Sequence, residues 1–472
     1  MKFISKTFKL LTVFLLVLGV TGCSDDDDGN PQPTVCAADA GTLTANATPV
    51  TLTDGAADIS ATPNGDIVVP TDYEVTYVLT SGTNLTIEAA GATPNFTVST
   101  TGSYTIHTLV AETSDDNDSN FLDLSVINFG TTTGGDVLDI VTTNNICASL
   151  DVTGAPIEVI ASILDIADDA GLTILSDALE LSGLDAAIDG FLRNGDEFTV
   201  FAPTDDAFVA LLNDVPEWSS LNDIPAATLE AVLLYHVLGV TQAAQDFVSA
   251  GEGYANTLST NGPDDTALSV YFRFDSEVQL NGGSMAEKGA NVSSPDTNVG
   301  NGIIHVIDKV LLLPTIADFA AANPALSSLV AALGAADNSN LPGGTTWLGT
   351  VSGDDNTTLA PYTVFAPTND AFADLLDELD PSGNTGLGDL DPALVDDVLT
   401  FHVVSGNNVQ SSGLGALNGV IPTLGGNLDL DGTVITDANG RESNILASLG
   451  LVDIQATNGV VHAIDTVILP PQ

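Results

Sequence analysis

The stretch FTVFAPTDDAF, Phe198–Phe208, recurs as YTVFAPTNDAF at Tyr362–Phe372, with nine of eleven positions identical. Phe198–Phe201 is a run of alternating β-formers, and Pro203, which lacks a backbone donor, ends strand pairing. Thr204 follows as a helix N-cap, its hydroxyl placed to accept an otherwise orphaned amide. Asp205 and Asp206 fall in the first turn, where negative charge complements the helix dipole. Phe208, Leu211 and Leu212 lie at i, i+3, i+4 spacing and dock one helical face. The second copy repeats the pattern with Thr368, Asn369, Asp370, Phe372, Leu375 and Leu376. Every identical position thus has a folding role as a strand joined to a capped helix.

Working outward, the repeat continues on both sides. Ser162–Ala167 matches Thr315–Ala320, Leu233–Leu238 matches Leu399–Val404, and Asn301–Asp308 matches Asn458–Asp465. Both copies close on Leu-Pro, at Leu313-Pro314 and Leu469-Pro470. The order is conserved between copies, which predicts tandem domains over 156–314 and 315–472, joined almost without a linker. The sequence Thr-Val-Phe-Ala-Pro-Thr-(Asp/Asn)-Asp-Ala-Phe, then an aromatic-His pair, then Asn-Gly-x-x-His-x-Ile-Asp, resembles the signature of fasciclin domains, twice over. That resemblance implies two α+β domains of an adhesion family. Its fold signature falls on Thr204, Asp205, His305 and Asp308, and on Thr368, Asn369, His462 and Asp465; Asp205 departs from the Asn more typical of the family. In animal fasciclin domains the Tyr-His neighbourhood is implicated in integrin adhesion. The resemblance therefore marks Tyr235, His236, Phe401 and His402 as a candidate adhesion neighbourhood, with Tyr present in the first copy alone.

The recurrent histidines are candidates for catalysis or ligation, but their spacing places them in the core. Leu229, Val232, Leu233 and His236 share an apolar stripe, as do Val395, Val398, Leu399 and His402, which predicts core histidines bonded to backbone. His305 and Asp308, like His462 and Asp465, sit at i and i+3; on a strand these point to opposite faces and form no dyad. No nucleophile recurs beside them, no zinc-like ligand cluster is present, and no glycine-rich phosphate loop follows a strand. The reading is of no catalytic, metal or cofactor site, with hydrolysis through His305 or His462 kept as a remote alternative.

The preceding segment, 36–150, is Thr- and Gly-rich with alternating runs such as Tyr73–Leu79 and Ser103–Leu109. It predicts an all-β sandwich-like domain, so the fold class is multidomain: a β module followed by two α+β domains. His107 has no partner in view there, and Asp115–Asn120 reads as a solvated acidic loop.

Residues 1–22 combine a basic start, an apolar core of signal length and Val-Thr-Gly before Cys23, resembling a bacterial lipobox that would lipidate Cys23. The acidic run after it, in a tether over 23–35, resembles an export signal of some Gram-negative bacteria. The expected location is the outer membrane, lipid-anchored and facing outward. Cys36 and Cys147 then remain as an even pair, expected to form a disulfide. With 63 acidic against 8 basic residues and a net charge of −55, the surface repels nucleic acid; its carboxylates could attract divalent cations weakly. The expected function is adhesion to an extracellular protein or polysaccharide. A glycan-binding accessory of an uptake system is the alternative, with Trp218 and Trp347 at non-equivalent positions as its thin aromatic support.

Overall fold

The computed structural model describes residues 37–472 except 53–54, 113–121, 145, 195, 300–301, 338–345 and 353–358. Cys23, the leader, the acidic tether, Cys36, Asp115–Asn120 and Asn301 therefore lie outside the described residues. The chain divides into two compact units, one ending at Ser162 and one spanning Ile163–Gln472.

In the first unit, a three-stranded sheet of Leu43–Ala45, Ala57–Pro63 and Asn95–Val98 faces a larger one. The larger sheet runs Val50–Leu52, Ala155–Ala161, Gly102–Glu112, Tyr73–Ser81, Thr86–Gly91, with Ala148–Leu150 also paired to Gly102–Glu112. Alternation decides the packing: Ile59, Leu79, Ile106 and Ile157 from both sheets meet in one buried cluster. The module extends past the expected boundary at 150. Ala155–Ala161 pairs with both Val50–Leu52 and Gly102–Glu112, so the start of the first repeat moves from 156 to Ile163. The helix Gly134–Thr143, closed by a capping box between Thr133 and Asp136, covers part of the larger sheet's outer face. Val141 and Leu109 share a small cluster there. Cys147 is disulfide-bonded.

In the second unit, each repeat is a helical layer on a sheet in which the opening motif is an interior strand, one place in from the edge. Phe198–Pro203 pairs in parallel with Gly302–Ile307, placing Phe201 beside His305. Tyr362–Pro367 pairs in the same register with Gly459–Ile464, placing Phe365 beside His462. Both motif strands are buried along their whole length. The copies diverge at the far edge. In the first, Ala290–Val299 bulges and continues one seven-stranded sheet; in the second, the corresponding chain breaks into a four-stranded sheet and a separate one of Val420–Pro422, Asn427–Asp431, Val434–Thr436 and Glu442–Asn444.

The tandem copies are packed into each other rather than strung out. Tyr271 of the first copy belongs to the core cluster of the second, beside Phe319, Ile454 and Ala456. Tyr254 meets the Phe319 ring edge-on at 5.6 Å and its hydroxyl accepts from the Asn323 amide at 3.1 Å. The buried Gln455 donates its backbone N–H to the Ser269 hydroxyl at 3.0 Å. Lys288 bridges to Asp318 at 2.9 Å, the acid that also completes the capping box on Ile316–Ala322. Apolar burial between the copies makes them one folding body.

Candidate functional site: the duplicated motifs

Thr204 and Thr368 cap their helices, accepting from Ala207 N–H at 3.2 Å and Ala371 N–H at 3.4 Å. The residue after each does something the spacing did not reveal. Asp205 accepts from Thr173 Oγ1 at 2.7 Å and from Ile174 N–H at 2.9 Å. It therefore caps the neighbouring helix Thr173–Ser182, whose own N-cap residue, Leu172, has no side chain able to do so. Asn369 does the same for its helical neighbour, accepting from Ser328 N–H at 2.8 Å while donating to the Pro324 carbonyl at 2.8 Å. The Asp-for-Asn difference is thus a change in an inter-helix clamp rather than in the helix's own first turn.

Inside the strand, Thr199 donates to the Val240 carbonyl at 2.7 Å and accepts from Gln242 N–H at 2.9 Å. Thr363 repeats this with the Asn407 carbonyl and Val409 N–H, at 2.8 and 2.9 Å. The glycine of each Asn-Gly pair is explained by the opposite strand. A Cβ on Gly302 would lie 2.3 Å from the Phe198 ring, and one on Gly459, where φ is +152°, would lie 2.0 Å from the Tyr362 carbonyl oxygen. Asn458 binds Ile316 N–H at 3.0 Å and the Val351 carbonyl at 2.7 Å, tying two helices to the strand end.

All four repeated histidines spend both ring nitrogens inside the fold. Nδ1–H of His236 donates to the Val232 carbonyl at 2.7 Å, and its Nε2 accepts from Leu311 N–H at 3.0 Å. His402 matches it with Val398 at 2.9 Å and Ile468 at 3.1 Å. Each staples the end of a helix to the segment that follows the last strand. Burial lowers both to a pKa of about 4, well below the ordinary histidine range, so they are neutral. His305 and His462 carry the opposite tautomer: Nε2–H donates to the Gln242 and Val409 carbonyls, each at 2.8 Å. Their Nδ1 atoms accept from Asp296 and Asp453 N–H, each at 3.2 Å. Desolvation lowers these two as well.

The i+3 acids are elsewhere. Asp308 binds Ser284 Oγ and Asn291 N–H, and Asp465 binds the backbone and side chain of Asn444. No His-Asp pair from the motif is brought together. No group of three or more His, Cys, Asp or Glu side chains able to hold a metal occurs among the described residues.

Several expectations need correction. Tyr235, His236, Phe401 and His402 are 0, 2, 5 and 2% exposed, so a partner cannot touch this neighbourhood without opening the core. Tyr235 instead donates to the Ser269 carbonyl at 2.8 Å and accepts from the Asn281 amide at 2.9 Å. Trp347 is fully buried and its indole N–H binds Asp396 at 2.7 Å, so it offers no platform for a sugar ring. His107, expected to be alone, is buried between the Thr80 hydroxyl and the Asp151 carbonyl. The segment 251–263, whose Gly, Ser and Asn content suits a free surface contact loop, instead packs on the second copy, since Tyr254 and the Pro263 carbonyl face it. What remains outward includes Met285, at 99% exposure, and the bulged edge Ser293–Asn298.

A family model for the fasciclin domain matches residues 170–314 and 327–470. Protein sll1483 of Synechocystis is 37% identical over 160 residues, covering 33% of this chain and 74% of that protein. The cell surface glycolipoprotein MPB83 of Mycobacterium bovis is 33% identical over 158 residues, which is 33% of this chain and 60% of its own length. Transforming growth factor-beta-induced protein ig-h3 of Sus scrofa is 26% identical over 341 residues, 71% of this chain and 41% of that protein. Among solved structures, the fasciclin domain pair of the insect cell adhesion molecule fasciclin I aligns with a TM-score of 0.39 at 18% identity. It covers 64% of this chain and 98% of that one. The chain thus spans well under two thirds of the length of the animal relative, and somewhat under two thirds of the mycobacterial one.

Proposed function

The chain belongs to the fasciclin family, and on that premise we propose that it is a non-enzymatic adhesion protein of the cell surface. In this reading it is tethered through lipid on Cys23 to the outer membrane of a Gram-negative bacterium and faces outward. A Cys36–Cys147 disulfide closes the β module, consistent with an oxidising location. The observation that carries the reading is the internal use of the repeated threonines and histidines: each is bonded to backbone of its own unit. The motifs hold the scaffold, and contact with an extracellular protein or polysaccharide falls to segments the copies do not share, such as the Met285 loop and the exposed Ser293–Pro295. A surface relative among glycolipoproteins supports the location. Weak divalent-cation binding by the acidic surface is part of the same reading.

The test joins location to binding. Metabolic labelling with a lipid precursor should mark the wild-type chain and not a Cys23→Ala variant, and protease applied to intact cells should remove it. The purified protein should bind a matrix protein or surface polysaccharide saturably. A chain resistant to shaving on intact cells, or binding equal to that of an unrelated protein of similar acidity, refutes the reading.

A further inference from the structure

The β module contains a cavity of about 240 Å³ between the outer face of its larger sheet, the segment Leu124–Phe129 and the helix Gly134–Thr143. Strand alternation creates it. On Tyr73–Ser81, Tyr77 and Leu79 face the sandwich core, so Thr76, Val78 and Thr80 face the cavity. Two glycines border it, Gly135 at an exposed position. Gly134 and Gly135 form the first helical turn against it, and a Cβ on Gly135 would meet nothing nearer than the Thr133 hydroxyl at 3.5 Å.

The chemistry of the walls is one-sided. Leu85, Ile87, Leu109, Ile127 and Val137 line the cavity, and none of its lining residues is charged, in a chain with 63 acidic side chains. Two of its polar side chains are engaged with each other: the His107 Nε2 accepts from the Thr80 hydroxyl at 3.0 Å, and Nδ1–H donates to the Asp151 carbonyl at 2.8 Å. Desolvation holds His107 neutral. A sugar or peptide would lose its hydrogen bonds to water here without replacement. The mouth is apolar too, with Phe129, Val152 and Leu138 exposed at 56, 59 and 41%. An apolar cavity of roughly 150 Å³ already stays dry and takes up benzene, and this one is larger.

We infer that this cavity is a binding site for a single hydrocarbon chain of an amphiphile whose head group carries no net negative charge. The chain fills the apolar space, and the head emerges past Phe129 and Val152 into solvent. An anionic head would meet the repulsion of a protein with a net charge of −55. The site is independent of the fasciclin motifs, which lie in the other unit.

Titration of the purified protein with the neutral fluorophore N-phenyl-1-naphthylamine should saturate at one site per chain. Decanol and monodecanoyl-phosphatidylcholine, kept below its micellar concentration, should displace it; the stronger of the two identifies a free chain or a lipid as the source. Decanoate should compete on the order of tenfold more weakly. Gly135→Leu, at an exposed lining position, should weaken binding on the order of tenfold by crowding the entrance. Leu138→Asp, at an exposed rim position that tolerates charge, should do so without affecting folding, which guards against a misfolded first variant. Non-saturable binding, or binding that both well-folded variants leave intact, would overturn the assignment, as would decanoate competing as well as decanol.

Discussion

The two buried staples, His236 and His402, make the fasciclin pair sensitive to acid in a way that can be calculated. Each has a pKa near 4 in the folded protein against an ordinary value near 6.5. A histidine depressed on folding takes up a proton in the unfolded chain first. Its contribution is whole above pH 6.5 and is lost as pH falls through the window down to 4. That gap corresponds to about 3 kcal/mol for each histidine. Protonation also sets a second N–H against the Leu311 or Ile468 amide, whose acceptor disappears. Acid has an opposing effect, because neutralising carboxylates relieves self-repulsion of the −55 charge, so the wild type alone is uninformative. The decisive comparison is with His402→Asn, which cannot titrate. Near neutral pH the variant should be less stable by about 2 kcal/mol, since it leaves the buried Ile468 N–H unpaired. By about pH 4.5 that gap should close by 2 to 3 kcal/mol, so the two unfold together in urea. His236→Asn should behave alike. A stability gap that stays constant between the two pH values would refute the neutral, doubly bonded imidazole.

Three further perturbations follow from the motif geometry. Gly459→Ala forces a Cβ against the Tyr362 carbonyl and should lower stability by roughly 3 kcal/mol or more, read as a loss of several degrees in Tm. Asp205→Ala removes the clamp on Thr173–Ser182 and should cost about 1 kcal/mol, whereas the adjacent Asp206→Ala, at an exposed position, should stay within about 0.5 kcal/mol. Tyr254→Ala opens the contact with Phe319 and Asn323; calorimetry should then resolve separate transitions for the two copies where the wild type should show one for the pair, and an unchanged transition for the pair would show that this contact does not couple the copies.

How much was legible depended on the distance over which a residue acts. Thr204 and Thr368 could be read as caps because their partners lie three residues on. Asp205 and Asn369 could not be read correctly, since the helix that each clamps starts some thirty to forty positions earlier and only the packed fold brings it near. The glycine of Asn-Gly was visible as a repeat, but its reason is the ring or carbonyl of a strand one hundred residues away. Tyr235 and Phe401 were assigned to a contact surface by resemblance, yet the helical period that made their neighbours core residues should have raised the question of burial for both. The strand Ala155–Ala161 carried its own signal, with Ala155, Ile157 and Val159 alternating into the core; proximity to the repeat obscured it. The packing of Tyr254, Tyr271 and Gln455 across the copies had no sequence signal, because none of these has a matching partner in the repeat pattern.

The central claim is that the shared motifs build the scaffold while binding resides in what the copies do not share. Surface plasmon resonance of the purified protein over immobilised matrix proteins and surface polysaccharide tests it most directly. Three chains are compared: the wild type, His402→Asn near neutral pH, and a chain with Met285–Glu287 and Ser293–Pro295 replaced by Gly-Ser sequence. The account predicts saturable binding by the first two with equal affinity and loss of binding by the third. Loss in the folded His402→Asn protein, with binding retained after loop replacement, would contradict it.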